Sequence, residues 1–164
     1  MDLDSALKDK PAEGASALEI LRADHAEARR LFAEYRSSSA QQRKIALRSL
    51  CLALELHDHI EREVFYPAVK DAASDLVGQF EHAHEDVTRI VETLRDRESC
   101  DSECDAAVTQ LQQQVEDHVM QEENELFPRL EKLGAAKLGD LGLAIVRRKE
   151  DLTRSTQEFE NPAT

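Results

Sequence analysis

The sequence predicts an all-α protein, an antiparallel up-down-up-down four-helix bundle with a shorter C-terminal fifth helix. Three observations predict it. Five Gly and four Pro interrupt 164 residues rich in Leu, Ala, Glu, Gln and Arg, residue types that favour helix. Apolar side chains recur in alternating steps of three and four, the period of helices that bury one stripe against neighbours at shallow angles. One chemical pattern also occurs twice: His25 then His57-x-x-x-Glu61, and His84 then His118-x-x-x-Glu122, with Pro67 and Pro128 each six positions past the Glu.

Residues 1–15 are polar, carry Pro11 and Gly14 and show no sustained period, so a mobile N-terminal tail is expected. The bundle is expected over 16–133. Its first helix carries Leu18, Leu21, His25, Ala28, Phe32 and Tyr35 on one stripe, and Ser37-Ser38-Ser39 closes it. The second steps through Leu47, Leu50, Leu54, His57, Glu61, Val64 and Ala68. It kinks or ends near Pro67, and a break follows over 71–74 with Ser74 as the expected N-cap. The third buries Val77, Phe80, His84, Val87, Val91 and Leu94. After Ser99–Ser102 the fourth buries Cys104, Val108, Leu111, Val115, His118 and Glu122, and Pro128 marks its kink or end. Short connections make consecutive helices antiparallel neighbours. An accessory helix over 134–158 follows with Leu138, Leu141, Ile145 and Leu152 on one stripe, lying outside the bundle, and 159–164 are expected to fray. Arg147-Arg148-Lys149 reads as a solvated face.

Thirty-four acidic against twenty-one basic residues give a formal charge of -13, which repels phosphate and excludes a general nucleic-acid or anionic-membrane partner. No apolar run approaches a membrane span, and the start lacks a secretory pattern. Cys51, Cys100 and Cys104, an odd number, fit a reducing cytoplasm better than a disulfide framework. Cys100-x-x-x-Cys104 could form a redox pair or a weak metal clamp; ordinary thiols near a helix start are expected.

The chemistry lies on the buried stripes. A His and a Glu four apart on a helix point the same way and can grip one metal. Counting from the three turns puts His25, His57, Glu61, His84, His118 and Glu122 at similar heights. The intervals are about twelve to eighteen residues at about 1.5 Å per residue, so the six meet in one layer. Burying four imidazoles and two carboxylates is costly unless something pairs with them. A lone buried His is more often a hydrogen-bonded core residue, but six at one level point to metal, a borderline ion such as iron, manganese or zinc. Glu61 and Glu122 are natural bridges between two ions, and the four His natural terminal ligands. His59 and His82 fall off the stripe and should be surface or supporting residues, with His82 the substitute ligand for a shifted third helix. Asp24 and Asp58 flank the stripe, either orienting imidazoles or reaching the metal, or else serving as surface polarity.

With Asp24-His25, His57-x-x-x-Glu61 before Phe65-Tyr66-Pro67, His84-Glu-Asp-Val87, and His118-x-x-x-Glu122 before Leu126-Phe127-Pro128, residues 16–133 resemble the hemerythrin-like HHE cation-binding domain family. The resemblance implies a left-handed four-helix bundle holding two non-haem irons, bridged by both glutamates and an oxo or hydroxo group. It also implies an open position for dioxygen, nitric oxide or peroxide. Two departures from the family's oxygen carriers stand out. Phe80 occupies the place of a fifth His, and Glu122 stands four residues after His118 where the carriers have an Asp at five. The lost ligand leaves either an extra open coordination site or a substitute such as Asp58, Glu81 or water, and reaction with peroxide, sensing or metal handling is expected over reversible oxygen transport.

The expected function is therefore a di-iron protein binding or reacting with small ligands in an oxidative or nitrosative stress response or in sensing. The alternative is a non-catalytic iron-sensing or iron-storage module acting through a protein partner. No separate acid-base or nucleophile constellation is legible, so any catalysis would belong to the metals.

Overall fold

The computed structural model describes residues 14–97 and 99–160. Of the expected tails, residues 1–13 and 161–164 lie outside the described residues. The first helix, α1, spans Ala17–Ser37 and begins with a reciprocal cap. The Ser16 hydroxyl accepts the Glu19 N–H at 3.4 Å, while the Glu19 carboxylate accepts the Ser16 N–H at 2.8 Å. Its predicted stripe is buried along its whole length.

Helix α2, Ala40–Ile60, runs through a π turn at Glu61–Phe65 into α3, Tyr66–Arg95. The chain reverses inside α3 at Ala73, whose φ -153 and ψ 45 leave the helical region, so the expected break falls beside Ser74. Helix α4, Ser102–Gln121, starts from Asp101, whose side chain accepts the Cys104 N–H at 2.9 Å. It too passes through a π turn, Glu122–Leu126, into the short α5, Phe127–Leu130, and a 3-10 turn at Glu131–Leu133. Gly134, at φ 86, turns the chain into α6, Ala135–Glu160.

The two π turns correct the second stripe. Val64 is only partly buried and Ala68 is exposed, while Phe65, Tyr66 and Val69 are buried instead. A π turn takes up one more residue than an α turn, so every later position rotates by one. In both repeats the turn closes just before the proline, with the Tyr66 N–H on the Glu61 carbonyl and the Phe127 N–H on the Glu122 carbonyl. The wider turn gives room to a ring that would clash with a regular helix.

The fifth helix is present but not short: 26 residues against 21 in α1. Its stripe of Leu138, Leu141 and Ile145 is buried against α1 and the π turn that follows α2, which extends the helix beyond what an isolated stripe suggests. Arg147 is exposed, but the expectation of a wholly solvated basic face fails. Arg148 pairs with Glu63 at 2.6 Å, and Lys149 turns inward to pair with Asp24.

Two apolar clusters fill the bundle. One holds Phe65, Tyr66, Val77, Phe80, Phe127 and the α6 residues; the other holds Phe32, Tyr35, Leu50, Leu94 and Leu111. Along their helices His25, His57, His84 and Glu122 fall between these two clusters, with Glu61 at the edge of the first and His118 at the edge of the second. No helix is long and apolar enough to cross a membrane. Cys51, Cys100 and Cys104 are free, and Cys104 is buried with its Sγ 3.6 Å from the Tyr35 hydroxyl, in the second apolar cluster.

Candidate metal centre

All six predicted residues meet in one layer. Their ligand atoms form two overlapping groups, His57, Glu61, His84 and His118 in one and His25, His57, Glu61 and Glu122 in the other, with the atoms of each group within 4.8 Å of one another. Five of the six are buried outright and His57 is nearly so, its side chain 12% exposed. The imidazoles pair by helix: His25 and His57 from α1 and α2 lie 5.0 Å apart by ring centroid, and His84 and His118 from α3 and α4 lie 4.5 Å apart. Both glutamates reach both pairs. Glu61 Oε2 lies 3.3 Å from His57 Nε2 and 2.7 Å from His84 Nε2. Glu122 Oε2 lies 3.4 Å from His25 Nε2 and 3.6 Å from His118 Nε2.

The donor set fits a cation site better than a hydrogen-bonded core. Buried and without a hydrogen-bond partner are His25 Nε2, His57 Nε2, Glu61 Oε1 and Glu122 Oε2, all facing the same space. A native core rarely orphans so many polar atoms together. His84 Nε2 and His118 Nε2 approach to 3.0 Å, about the spacing of two nitrogens held at right angles by one ion with bonds of about 2.1 Å.

Carboxylates hold three of the rings from behind. Asp58 Oδ1 lies 2.8 Å from His84 Nδ1, Glu123 Oε1 2.8 Å from His25 Nδ1, and Asp24 Oδ2 3.7 Å from His57 Nδ1. An acceptor on Nδ1 fixes the tautomer that leaves Nε2 free for a metal. Asp58 therefore orients a ligand, and neither it nor the half-buried Glu81 belongs to the two ligand groups. His59 and His82 are exposed, paired with Glu63 and Glu85, and take no part.

The neighbouring carboxylates favour positive charge on His57 and His84. Burial opposes protonation of His57, but the neighbouring Glu61 and Asp24 carboxylates outweigh it and raise its pKa well above the ordinary value. Burial is likewise outweighed at His84, where Asp58 and Glu61 push the pKa up to about 9. Burial would raise the pKa of Glu61, yet His57, His118 and His84 bring it well below the usual carboxylate range.

Sequence reasoning missed Tyr66. Five positions after Glu61 on a regular helix lies about 140° from the seam. The π turn rotates it inward, and its hydroxyl lies 2.9 Å from Glu122 Oε1, 3.0 Å from Glu61 Oε2 and 3.0 Å from His84 Nε2. Burial, then the two carboxylates, hold its pKa well above the ordinary value. The prolines six past each Glu were the available signal, read only as kinks. In the second repeat the equivalent residue is Phe127, whose ring stacks on His25 at 5.9 Å. Phe80 fills the expected vacancy, its ring edge-on to His118 at 5.4 Å and stacked with Tyr66 at 6.4 Å. On the histidine side a cavity of about 30 Å³ is lined by Ala28, Ala53, Leu54, Val87, Val115 and Val119 above the four imidazoles.

The family model described as hemerythrin HHE cation binding domain matches residues 16–130. Among solved structures, a crystal structure titled as a hemerythrin HHE cation binding domain-containing protein, the Rv2633c homolog from Mycobacterium kansasii, shares the fold. Its TM-score is 0.77 at 21% identity, covering 92% of this chain and 94% of that chain. No curated protein matches the chain.

Proposed function

Since the chain belongs to the hemerythrin HHE cation-binding family, we propose that its cation site is a non-haem di-iron centre that binds or reacts with dioxygen, nitric oxide or peroxide. The observation that carries this reading is the pair of overlapping ligand groups with Glu61 common to both. Glu61 and Glu122 would hold the ions together with His84 and His118 on one side and His25 and His57 on the other. Tyr66 places a seventh donor group, a phenol oxygen, between the carboxylates. Such an iron pair supplies electrons and an open coordination position for a small ligand.

The chain's own groups do the rest. Asp58 and Glu123 hold the Nδ1 protons of His84 and His25, which keeps those rings aimed and raises their donor strength, and the Asp24 charge faces His57 Nδ1 at 3.7 Å. The six aliphatic side chains over the histidines keep bulk water out, and about 30 Å³ holds a water or a diatomic molecule but no organic substrate. Phe80 closes the opposite side, where a fifth His would bind. Three free thiols and the -13 charge favour a reducing cytoplasmic setting away from nucleic acid.

Metal analysis and absorption spectra of aerobically purified protein test the proposal. About two irons per chain with a near-ultraviolet or visible charge-transfer band support it. One zinc and a featureless spectrum refute it. Gas evolution on adding peroxide identifies turnover; a stable spectral shift without turnover identifies a binding or sensing role.

A further inference from the structure

Lys149 lies on α6, past residue 130 where the family match ends. Its side chain is 15% exposed and its Nζ pairs with Asp24 Oδ1. The other Asp24 oxygen, Oδ2, faces His57 Nδ1 at 3.7 Å, and both atoms are buried with no hydrogen-bond partner of their own. His57 in turn belongs to both ligand groups. One line of charge thus runs from the C-terminal helix through Asp24 and His57 into the metal layer. Its neighbour Arg148 makes a comparable tie to Glu63 at 2.6 Å, but at an exposed pair that touches none of the six ligands.

The cations behind the other supported rings stand farther from their carboxylates. Arg29 is 3.7 Å from Glu123 behind His25, and Arg62 is 3.9 Å from Asp58 behind His84; both arginines are about half exposed. A cation screened by water acts weakly, whereas a mostly buried one in contact acts strongly. At His57 the negative carboxylate facing Nδ1 makes the imidazole a stronger donor through its charge, and a cation on the same carboxylate moderates that push.

We infer that Lys149 is a positioning residue for the metal centre, holding Asp24 toward His57 and offsetting its charge, so that the C-terminal helix sets how strongly His57 donates to a bound ion. The inference rests on the metal-centre reading above. Were Lys149 only a fastener for α6, loss of either partner would loosen the same contact and act alike. As a charge on the relay, the two partners act in opposite directions. Without the lysine, the full Asp24 charge falls on His57 and favours the more oxidised ion. Without the Asp24 charge, the more reduced ion is favoured.

The test loads wild type, Lys149→Met, Lys149→Arg, Asp24→Asn and Arg148→Met with ferrous iron under anaerobic conditions. Midpoint potentials are titrated by visible absorption, and iron loss to a chelator is timed. The expected result is a lower potential for Lys149→Met, a higher one for Asp24→Asn, and values near wild type for Lys149→Arg and Arg148→Met. Iron affinity in Asp24→Asn should fall roughly ten- to a hundredfold. Shifts of the same sign in Lys149→Met and Asp24→Asn, or a Lys149→Met protein matching Arg148→Met, overturn the inference while leaving the iron reading intact. A wild type that takes up no iron overturns both.

Discussion

The Tyr66 hydroxyl lies 2.9 Å from Glu122 Oε1, joining a residue of the first His-Glu repeat to the carboxylate of the second. With Glu61 Oε2 at 3.0 Å, one phenol spans both buried carboxylates. Tyr66→Phe keeps the ring stacked on Phe80 and removes this one oxygen. In metal-free protein the loss of a buried hydrogen bond to a charged group should cost about 1.5–3 kcal/mol, read from urea unfolding. In iron-loaded protein the same change should alter the visible spectrum. An unchanged spectrum would show that the hydroxyl stays away from the metal.

His118→Ala and Glu122→Ala should lose metal, whereas His59→Ala should retain it. The contrast follows from position: His59 is exposed beside Glu63, and the other two lie at the centre of the layer. Metal content after gel filtration decides it, and equal content in all three variants would contradict the assignment of ligands.

The pH dependence of metal-free and metal-loaded protein should diverge. The folded-state pKa of His84, about 9, lies above its ordinary 6.5, with burial outweighed by Asp58 and Glu61. A raised value means stabilisation that is complete below 6.5 and lost as pH rises through about 9. His57 shifts in the same direction. The thermal midpoint of chelator-stripped protein should fall across that window. Metal affinity should rise over the same range, because ligation displaces the same protons. A flat profile for the stripped protein would contradict the charge assignment.

Packing of α6 can be tested at two glycines. A Cβ on Gly142 would strike the Ala15 carbonyl and come within 3.0 Å of the Ala17 nitrogen, whereas one on Gly139 meets nothing within 4 Å. Gly142→Ala should destabilise the protein by about 1–3 kcal/mol through overpacking. Gly139→Ala should stabilise it by up to about 1 kcal/mol through helix propensity. Paired thermal melts measure both, and equal effects would mean that α6 does not seat against the start of α1.

Much of this molecule was legible in its residues. The repeating steps of three and four gave the helices, and the stripe positions of His25, His84, His118, Glu61 and Glu122 all proved buried. The second stripe was misread only past Glu61, where Val64 and Ala68 yielded to Phe65 and Val69. Of the substitutes left open for the missing position, Asp58 lies behind His84, and Tyr66 comes to the centre instead.

By itself, then, the sequence determined the helical class, the turns and the six-residue layer, because each follows from local periodicity and from the cost of burying charge. Tertiary structure alone decided that Tyr66 enters the layer and that Lys149 reaches Asp24 from α6. The reason is physical in both cases. Periodicity assumes a constant rotation per residue, which a π turn breaks, and a flexible lysine on a helix 125 residues away in the chain is placed by packing that no local pattern encodes.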